Sequence, residues 1–305
     1  MVDRGYEVVG LTSDKQKIKP LTQVYAGLPV RIEFFDYFQR NQISELVAAL
    51  KPDRIFNFAA KATGQGMFDS VDEISRLNGE FVLDILEAIR NVNPATRLCQ
   101  ASSAEMFGDV SESPQNENTP FRPKSPYGAA KLYAHNLVGI YRNAYNVHCS
   151  SAILFNHEST RRSVDFVTRK IASAAAAIKL GLSDSLYLGA LDAQRDWGYA
   201  AEYVDAMVRM TDADEACDYV VATGRLTSVR RLCEICFSYL GLDYREYVKV
   251  DDALKRPIAT TDVVGDPSLI ESRLGWVANA SIEEIATEMV EADFRRFRTT
   301  KCAVQ

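Results

Sequence analysis

The sequence predicts an α/β protein: a doubly wound parallel sheet, with a smaller C-terminal α/β lobe laid over it. Short β-compatible runs alternate with segments of helical apolar spacing through the first half of the 305 residues. Repeated β-α-β order implies parallel strands with helices on both faces. The second half is less regular, with helical segments joined by short strands and Pro/Gly loops. Hydrophobic residues make up 47% of the chain and charged residues 25%, the composition of a globule with enough length for one large or two modest domains.

The strand-like runs are Tyr6 to Leu11, Val30 to Phe35, Arg54 to Phe58, Arg97 to Gln100 and Ser150 to Phe155, each short and β-compatible. Between them, Ile43 to Leu50, Phe81 to Arg90 and Ala129 to Tyr145 place apolar residues on one helical face. Helices are expected further on over Phe166 to Leu180, Ala201 to Met210, Ser228 to Leu240 and Ser281 to Arg296. Asp3-Arg4-Gly5 reads as the end of a helix with glycine at its C′ position, so the chain begins inside an element. In a doubly wound nucleotide fold, the preceding piece is the first, central strand and its Gly-rich turn, whose backbone amides hold a pyrophosphate. No G-x-G-x-x-G or G-x-x-G-x-x-G pattern stands at the start. The expectation is a sequence lacking roughly one β-α unit, about two dozen residues, or a protein without that site.

Lys and Arg number 35 against 41 Asp and Glu, a net charge of −6, which argues against nucleic acid or an anionic membrane as a partner. The longest apolar run, Ile171 to Ile178, contains Ser173 and ends at Lys179, well short of the ~20 residues that span a bilayer. The first residues lack the basic and apolar segments of a secretory signal, so a cytoplasmic location without disulfides is expected. The six cysteines are scattered, and Cys233 and Cys236 have no second pair at zinc-site spacing. A buried helical face is the expectation there, with no metal. Arg295-Arg296-Phe297-Arg298 reads as a solvated helix end, where cations suit the negative pole.

Chemistry concentrates in two segments. Tyr127-Gly128-Ala129-Ala130-Lys131 sets a phenol and an ammonium one helical turn apart. Lys⁺ beside the phenol is expected to favour phenolate and bring its pKa toward neutrality. Gln100-Ala101-Ser102-Ser103-Ala104-Glu105-Met106-Phe107-Gly108 places hydroxyls and a carboxylate at the carboxyl end of a strand, where such sheets bind ligands. By itself Glu105 also suits a helix cap or a solvated position.

The order Asn57-Phe58-Ala59-Ala60, Asn78-Gly79, Ser102 to Glu105 and Tyr127…Lys131 resembles the extended short-chain dehydrogenase/reductase superfamily. Downstream, Leu154-Phe155-Asn156-His157-Glu158-Ser159, Arg161-Arg162, Phe166 to Ile171, Leu188 to Gly198, Thr223-Gly224, Arg256-Pro257, Gly265-Asp266-Pro267 and Leu274-Gly275-Trp276 resemble the GDP-mannose 4,6-dehydratase family. The likeness runs from about Gly5 to about Asp293.

The resemblance implies a Rossmann-like NADP-binding domain over residues 1–160 and a mainly nucleotide-sugar-binding lobe over 161–305, some of whose segments return to the first domain. It implies a redox-neutral cycle on GDP-mannose, or a close GDP-manno-sugar such as GDP-mannoheptose: oxidation at C4, loss of water across C5 and C6, and return of the hydride to C6. Tyr127, held by Lys131 and Ser103, would take the C4 hydroxyl proton, and Glu105 the C5 proton. Cofactor positions map onto Asp36, Tyr37, Phe58, Ala59, Ala60, Ala62, Lys131, His157 and Arg162. Asn156, Val167, Lys170, Gly189, Arg195 and Arg256 map onto nucleotide-sugar positions, where arginine forks suit diphosphate oxygens. A homodimer or homotetramer is expected, with the Arg161-Arg162 loop reaching toward a neighbouring subunit.

Three departures accompany the likeness. The Gly-rich turn is absent. Ala104 stands where the family has serine, leaving proton donation to Glu105 or a bound water. Leu11-Thr12-Ser13-Asp14-Lys15 lacks the arginine that binds the 2′-phosphate, so NADP follows from the family, with NAD as the alternative and Lys15 or Lys17 as substitutes. A reductase or epimerase of the superfamily, or a catalytically impaired nucleotide-sugar-binding protein, is the alternative function.

Overall fold

The computed structural model describes residues 1–62, 68, 70–110, 112–254 and 263–303. Its elements follow in order: β1 (Val8–Thr12), α1 (Lys15–Val24), β2 (Val30–Phe34), α2 (Gln42–Leu50), β3 (Arg54–Asn57), α3 (Val71–Ser75), α4 (Phe81–Val92), β4 (Arg97–Ala101), α5 (Pro126–Tyr145) and β5 (Cys149–Leu154). The chain continues through β6 (Asn156–Glu158), α6 (Val167–Lys179), β7 (Leu186–Leu188), β8 (Gln194–Tyr199), α7 (Ala200–Asp212), β9 (Tyr219–Val221), β10 (Leu226–Ser228) and α8 (Val229–Tyr239). It ends with α9 (Tyr244–Tyr247), β11 (Val248–Val250), α10 (Ser268–Leu274) and α11 (Ile282–Ala303).

The doubly wound prediction holds. Strands β3-β4-β5-β9 form a parallel sheet, and every residue of β5 is buried, as a strand covered on both faces must be. On one face, α2, α4 and α5 bury Ile43, Val47, Ile85, Leu86 and Val138 against Leu98 and Cys149. On the other, α7 presses Ala206, Met207 and Met210 onto Cys99, Ile153 and Val220, with Trp276 closing the layer. A further core joins α6, α8 and α11 through Ile171, Leu232, Phe237, Met289 and Val290. Five short strands accompany it: β8 pairs in parallel with β6 and antiparallel with β10, while β7 pairs with β11.

β1 and β2 form a separate parallel pair. The segment leading into β1 stands beside β3: the Arg54 guanidinium lies 5.2 Å from the Tyr6 ring centroid, and Arg4 and Arg54 share Asp212. The bonds Val8 N–H to Pro29 O and Phe35 N–H to Thr12 O turn Val8, Gly10 and Thr12 toward β2, so Val9 and Leu11 face away from it. Arg97 N–H to Asp53 O likewise turns Arg54 and Phe56 away from β4. Among the described residues no strand pairs with these two edges; the Leu11 carbonyl accepts the Tyr37 hydroxyl at 3.3 Å instead. The break in the strand order falls where a doubly wound nucleotide fold has its central strand.

Most predicted elements appear within a few residues of their expected bounds. Gly5, at φ 81°, closes a short 3₁₀ turn over Val2–Arg4, as its C′ reading requires. α5 starts earlier than its apolar pattern, because Pro126 suits the first turn and Ser125 caps it by accepting the Gly128 N–H at 3.0 Å. α1 escapes apolar periodicity because it buries no residue and contains Pro20. The π-helical turn Arg76–Glu80 after α3 also has no apolar signature. Cys233 and Cys236 lie buried in the core of α8, and no cluster among the described residues could hold a metal. Arg295 pairs with Glu291 and Arg296 with buried Asp293, yet both arginines and Arg298 are exposed, as the solvated reading expects, with α11 running on to Ala303.

Gly198 marks a close approach between β8 and α7. A Cβ there would stand 2.3 Å from the Tyr203 ring, which is itself wedged between His157 and Trp276. Gly198→Ala is expected to cost about 1–3 kcal/mol in urea unfolding through overpacking; an unshifted midpoint would show that the ring has room to move.

Candidate active site

The carboxyl ends of β3, β4 and β5 converge with the start of α5. At the end of β3, buried Asn57 donates to Gln100 Oε1 at 2.7 Å and accepts the Ala59 N–H at 3.1 Å, bending the chain after the strand. Asn78, fully buried in the π-helical turn, accepts the Lys61 N–H at 2.8 Å and donates to the Lys61 carbonyl at 3.1 Å. The segment carrying Phe58, Ala59, Ala60 and Ala62 is thereby braced at both ends. Phe58 is 51% exposed, an apolar face open at a strand end.

At the end of β4 the chain enters a 3₁₀ turn over Ala104–Met106, capped by Ser103, whose Oγ accepts the Glu105 N–H at 3.2 Å. The Ser103 hydroxyl also bonds the Tyr127 phenol. Lys131 is buried, donates from Nζ to the Ala101 carbonyl at 2.8 Å, and lies 5.8 Å from the Tyr127 ring centroid. α5 is pressed so closely on this turn that a Cβ on Gly128 would stand 2.6 Å from the Glu105 carbonyl oxygen.

The charge states differ from the sequence expectation. Burial pushes the Tyr127 phenol up to about 12, with the Ser103 bond and the Arg162 cation offsetting part of this. Burial also lowers Lys131 to about 8. The expected phenolate, favoured by Lys131, is thus not the resting state: desolvation outweighs the cation, whose ammonium is turned onto a backbone carbonyl.

A second shelf follows β5. His157 Nδ1 lies 2.9 Å from the Phe155 carbonyl, an arrangement that places the ring proton on Nδ1, and burial lowers its pKa. Arg162 stacks 3.5 Å over Phe166, and its Nε is 3.3 Å from buried Glu158. Val167 opens α6, and Lys170 donates to the Tyr187 carbonyl at 2.7 Å, two residues before Gly189. Arg195 lies in β8, which sets Trp197 beside Asn156. Arg256 lies outside the described residues. Asp36 accepts the Phe38 N–H at 3.0 Å after β2. The Tyr37 ring packs edge-on against Phe35 and Phe81, 5.0 Å from each. Asp14 caps α1 by accepting the Gln16 N–H at 2.9 Å, leaving Lys15 and Lys17 at the helix start.

The structure therefore gathers Ser103, Glu105, Tyr127, Lys131 and Arg162 at one place, with the Phe58 segment beside β4. Asp36 and Tyr37 stand apart, at the end of β2. Sequence reasoning missed the bracing role of Asn78 and the hub formed by Asp196. That buried carboxylate accepts the Thr223 N–H and hydroxyl and the Gly224 and Gly265 N–H groups, at 2.6–3.3 Å. The signal was present, since these residues belong to three separate motifs that a single carboxylate ties together.

The family model described as GDP-mannose 4,6 dehydratase matches residues 1–289. The chain is 39% identical to the GDP-mannose 4,6-dehydratase of Sinorhizobium fredii, over 99% of this chain and 93% of that protein. It is 35% identical to GDP-mannose 4,6 dehydratase 1 of Arabidopsis thaliana, over 99% and 86%. Two solved structures share the fold. One is RMD from Pseudomonas aeruginosa, complexed with NADPH (TM-score 0.81, 21% identity, 95% of this chain and all of that one). The other is dTDP-glucose 4,6-dehydratase from Bacillus anthracis, in complex with NAD (TM-score 0.83, 14% identity, 97% and 90%).

The charge assignment predicts a pH signature. Between pH 8 and 10 the folded chain has lost the Lys131 proton that the unfolded chain still holds, so this residue's contribution to stability rises with pH; Tyr127 acts only above pH 10. Lys131→Met should therefore be most stabilised relative to the parent below pH 8, with the difference shrinking by about 2–3 kcal/mol toward pH 10. A difference in urea unfolding free energy that is flat from pH 7 to 10 would refute the buried ammonium.

Proposed function

From the chain's membership of the GDP-mannose 4,6-dehydratase family, we propose that it removes water from GDP-mannose, or from a close GDP-manno-sugar such as GDP-mannoheptose, leaving a 4-keto-6-deoxy sugar. The observation that carries this reading is the position of Glu105 on the turn capped by Ser103, the residue that also bonds Tyr127. A reductase or epimerase has no use for a second acid-base group there.

The strand ends fit a nicotinamide dinucleotide. Lys131 has three N–H donors, and the acceptor found for them is the Ala101 carbonyl, which suits it to ribose hydroxyls. Asp36, Tyr37, the Phe58 to Ala62 segment, His157 and Arg162 complete the set that would hold NADP. With Asp14 engaged in capping α1 and in reach of Lys17, Lys15 and Lys17 are the cations for a 2′-phosphate. When bound, NADP supplies the acceptor for the C4 hydrogen and the donor to C6.

Tyr127 rests as a neutral phenol and must give up its proton to solvent before it acts; as phenolate it takes the C4 hydroxyl proton, while the C4 hydrogen would leave as hydride to bound NADP. Ser103 holds the phenol oxygen, and Arg162 favours its ionised form. Oxidation at C4 acidifies C5, whose proton Glu105 takes. Ala104 has no hydroxyl, so Glu105 or a bound water delivers a proton to the departing C6 oxygen, which leaves as water; once hydride has reached C6, Glu105 passes a solvent proton back to C5. On the sugar side, Asn156, Val167, Lys170, Gly189, Arg195 and Arg256 are assigned to the GDP portion, with the lobe from residue 161 onward as its main support.

The reading includes a homodimer or homotetramer. α5 leaves Tyr133 and Ile140 exposed at 46% and 52%, seven residues apart on one helical face. It also includes a cytoplasmic location: among the described residues no helix is long and apolar enough to cross a membrane, and five cysteines are free.

Two measurements test these roles. Glu105→Gln should slow loss of water at least ~100-fold, the usual scale for a positioned acid-base group, and should abolish incorporation of solvent deuterium at C5; dehydration at the parental rate would remove Glu105 from the reaction. Ile140→Asp should shift the sedimentation of the protein toward monomer, and an unchanged profile would place the subunit contact elsewhere.

A further inference from the structure

The loop from Ser159 to Phe166 carries Arg162, the cation acting on both Tyr127 and His157. Its own bonds are short-range: Arg162 N–H to Ser159 O at 3.1 Å, Arg161 N–H to Ser159 Oγ at 3.2 Å, Phe166 N–H to Ser163 O at 3.2 Å and the Ser163–Asp165 pair, with Arg161 also reaching the Tyr25 hydroxyl at 3.4 Å. Two buried side chains grip it from outside. Glu158 faces Arg162 and accepts the Thr168 hydroxyl at 2.6 Å. Arg169 on α6 donates one guanidinium nitrogen to the Thr160 carbonyl and the other to Asp293 Oδ1 of α11, at 2.6 Å.

Packing alone does not explain the Arg169–Asp293 pair. The surrounding contact between α6 and α11 is apolar, built from Ile171, Ala172, Ala175, Ala286, Met289 and Val290. Asp293 is fully buried and also lies 2.9 Å from the exposed Arg296; Arg169 is 6% exposed, and Arg169 Nε and Asp293 Oδ2 have no hydrogen-bond partner. A buried ion pair with unsatisfied atoms is commonly no more stable than apolar residues of similar volume. Apolar residues, however, have no way to hold the Thr160 carbonyl. Arginine does so because its planar fork serves two acceptors in fixed directions, and Asp293 aims and neutralises that fork.

We propose that Arg169 and Asp293 are positioning residues: by pinning Thr160 they fix the Ser159 to Phe166 loop and hold Arg162 beside Tyr127, which links the C-terminal helix α11 to the candidate active site. The significance of that placement rests on the proposed function; the mechanical link does not. Arg169→Lys keeps the charge and the pairing with Asp293 but replaces the two-armed fork with one nitrogen. Asp293→Asn keeps the shape and removes the charge that aims the fork.

The test is hydrogen–deuterium exchange across both variants and the parent, together with NADPH binding followed by nicotinamide fluorescence. Exchange in the segment 159–166 should rise about tenfold or more, while exchange in α6 and α11 stays at the parental level. The Kd for NADPH should rise about ten- to a hundredfold, the scale on which small misplacements by distant mutations act. Unchanged loop exchange, or a rise spread equally over α6 and α11, would overturn the proposal by reducing the pair to a packing element. If the parent chain binds GDP-mannose without dehydrating it, the proposed function fails, and the exchange pattern still decides the link.

Discussion

The hydrogen bond from the Lys131 ammonium to the Ala101 carbonyl determines how α5 meets the sheet. It buries a charge at the end of β4, and the same contact brings the first turn of α5 onto the Ser103 to Met106 turn, where Gly128 leaves room for no side chain. Tyr127, one helical turn earlier, is carried into the same enclosure and loses its solvent. Burial then sets the chemistry: the phenol is held neutral, the ammonium is weakened, and both depend on polar neighbours for their ionised forms. Ser103 and Arg162 are such neighbours for Tyr127. The site is a place where desolvation has raised the sensitivity of every group to what binds beside it.

A second framework supplies Arg162. It is organised by carboxylates rather than by the sheet: Glu158 against the arginine, Asp293 against Arg169, and Asp196 beneath the loops from β8, β9 and residues 263–266. Asp196 and Asp293 take donors from segments far apart in sequence, while Glu158 serves Arg162 and the Thr168 hydroxyl nearby. The geometry of the segments after β5 therefore depends on a few buried charges, whereas the geometry around Tyr127 depends on apolar packing against β4 and β5.

The periodic parts of this structure were legible in the sequence. Alternating runs and apolar faces located five strands and seven helices, because burial on a sheet or a helical stripe imposes periods that residues such as Val47, Ile85 and Met207 display. α1 was not legible, since nothing in it is buried, nor was the π-helical turn that aims Asn78. The four residues proposed to be catalytic were readable as motif and resemblance, and the structure places them together. The ionisation of Tyr127 was misjudged for a physical reason: spacing reveals that Lys131 shares its helix face, but not that the ammonium is committed to Ala101 or that water is excluded from both. Long-range pairs such as Arg169 with Asp293 leave no local pattern, because each partner resembles an ordinary surface charge on an amphipathic helix. Among the described residues, β1 and β3 each keep an edge that no strand pairs, where Val9, Leu11 and Phe56 face away from their partners.

The central claim is that the cluster of Ser103, Glu105, Tyr127 and Lys131 carries out an internal dehydration with no net consumption of cofactor. The most direct test is the mass spectrum of GDP-mannose after incubation with the 305-residue chain and NADP. The account predicts a product lighter by one water, with the amount of NADP unchanged. A product of unchanged mass, or one heavier by two hydrogens with oxidation of added NADPH, would contradict it and assign the cluster to epimerisation or reduction.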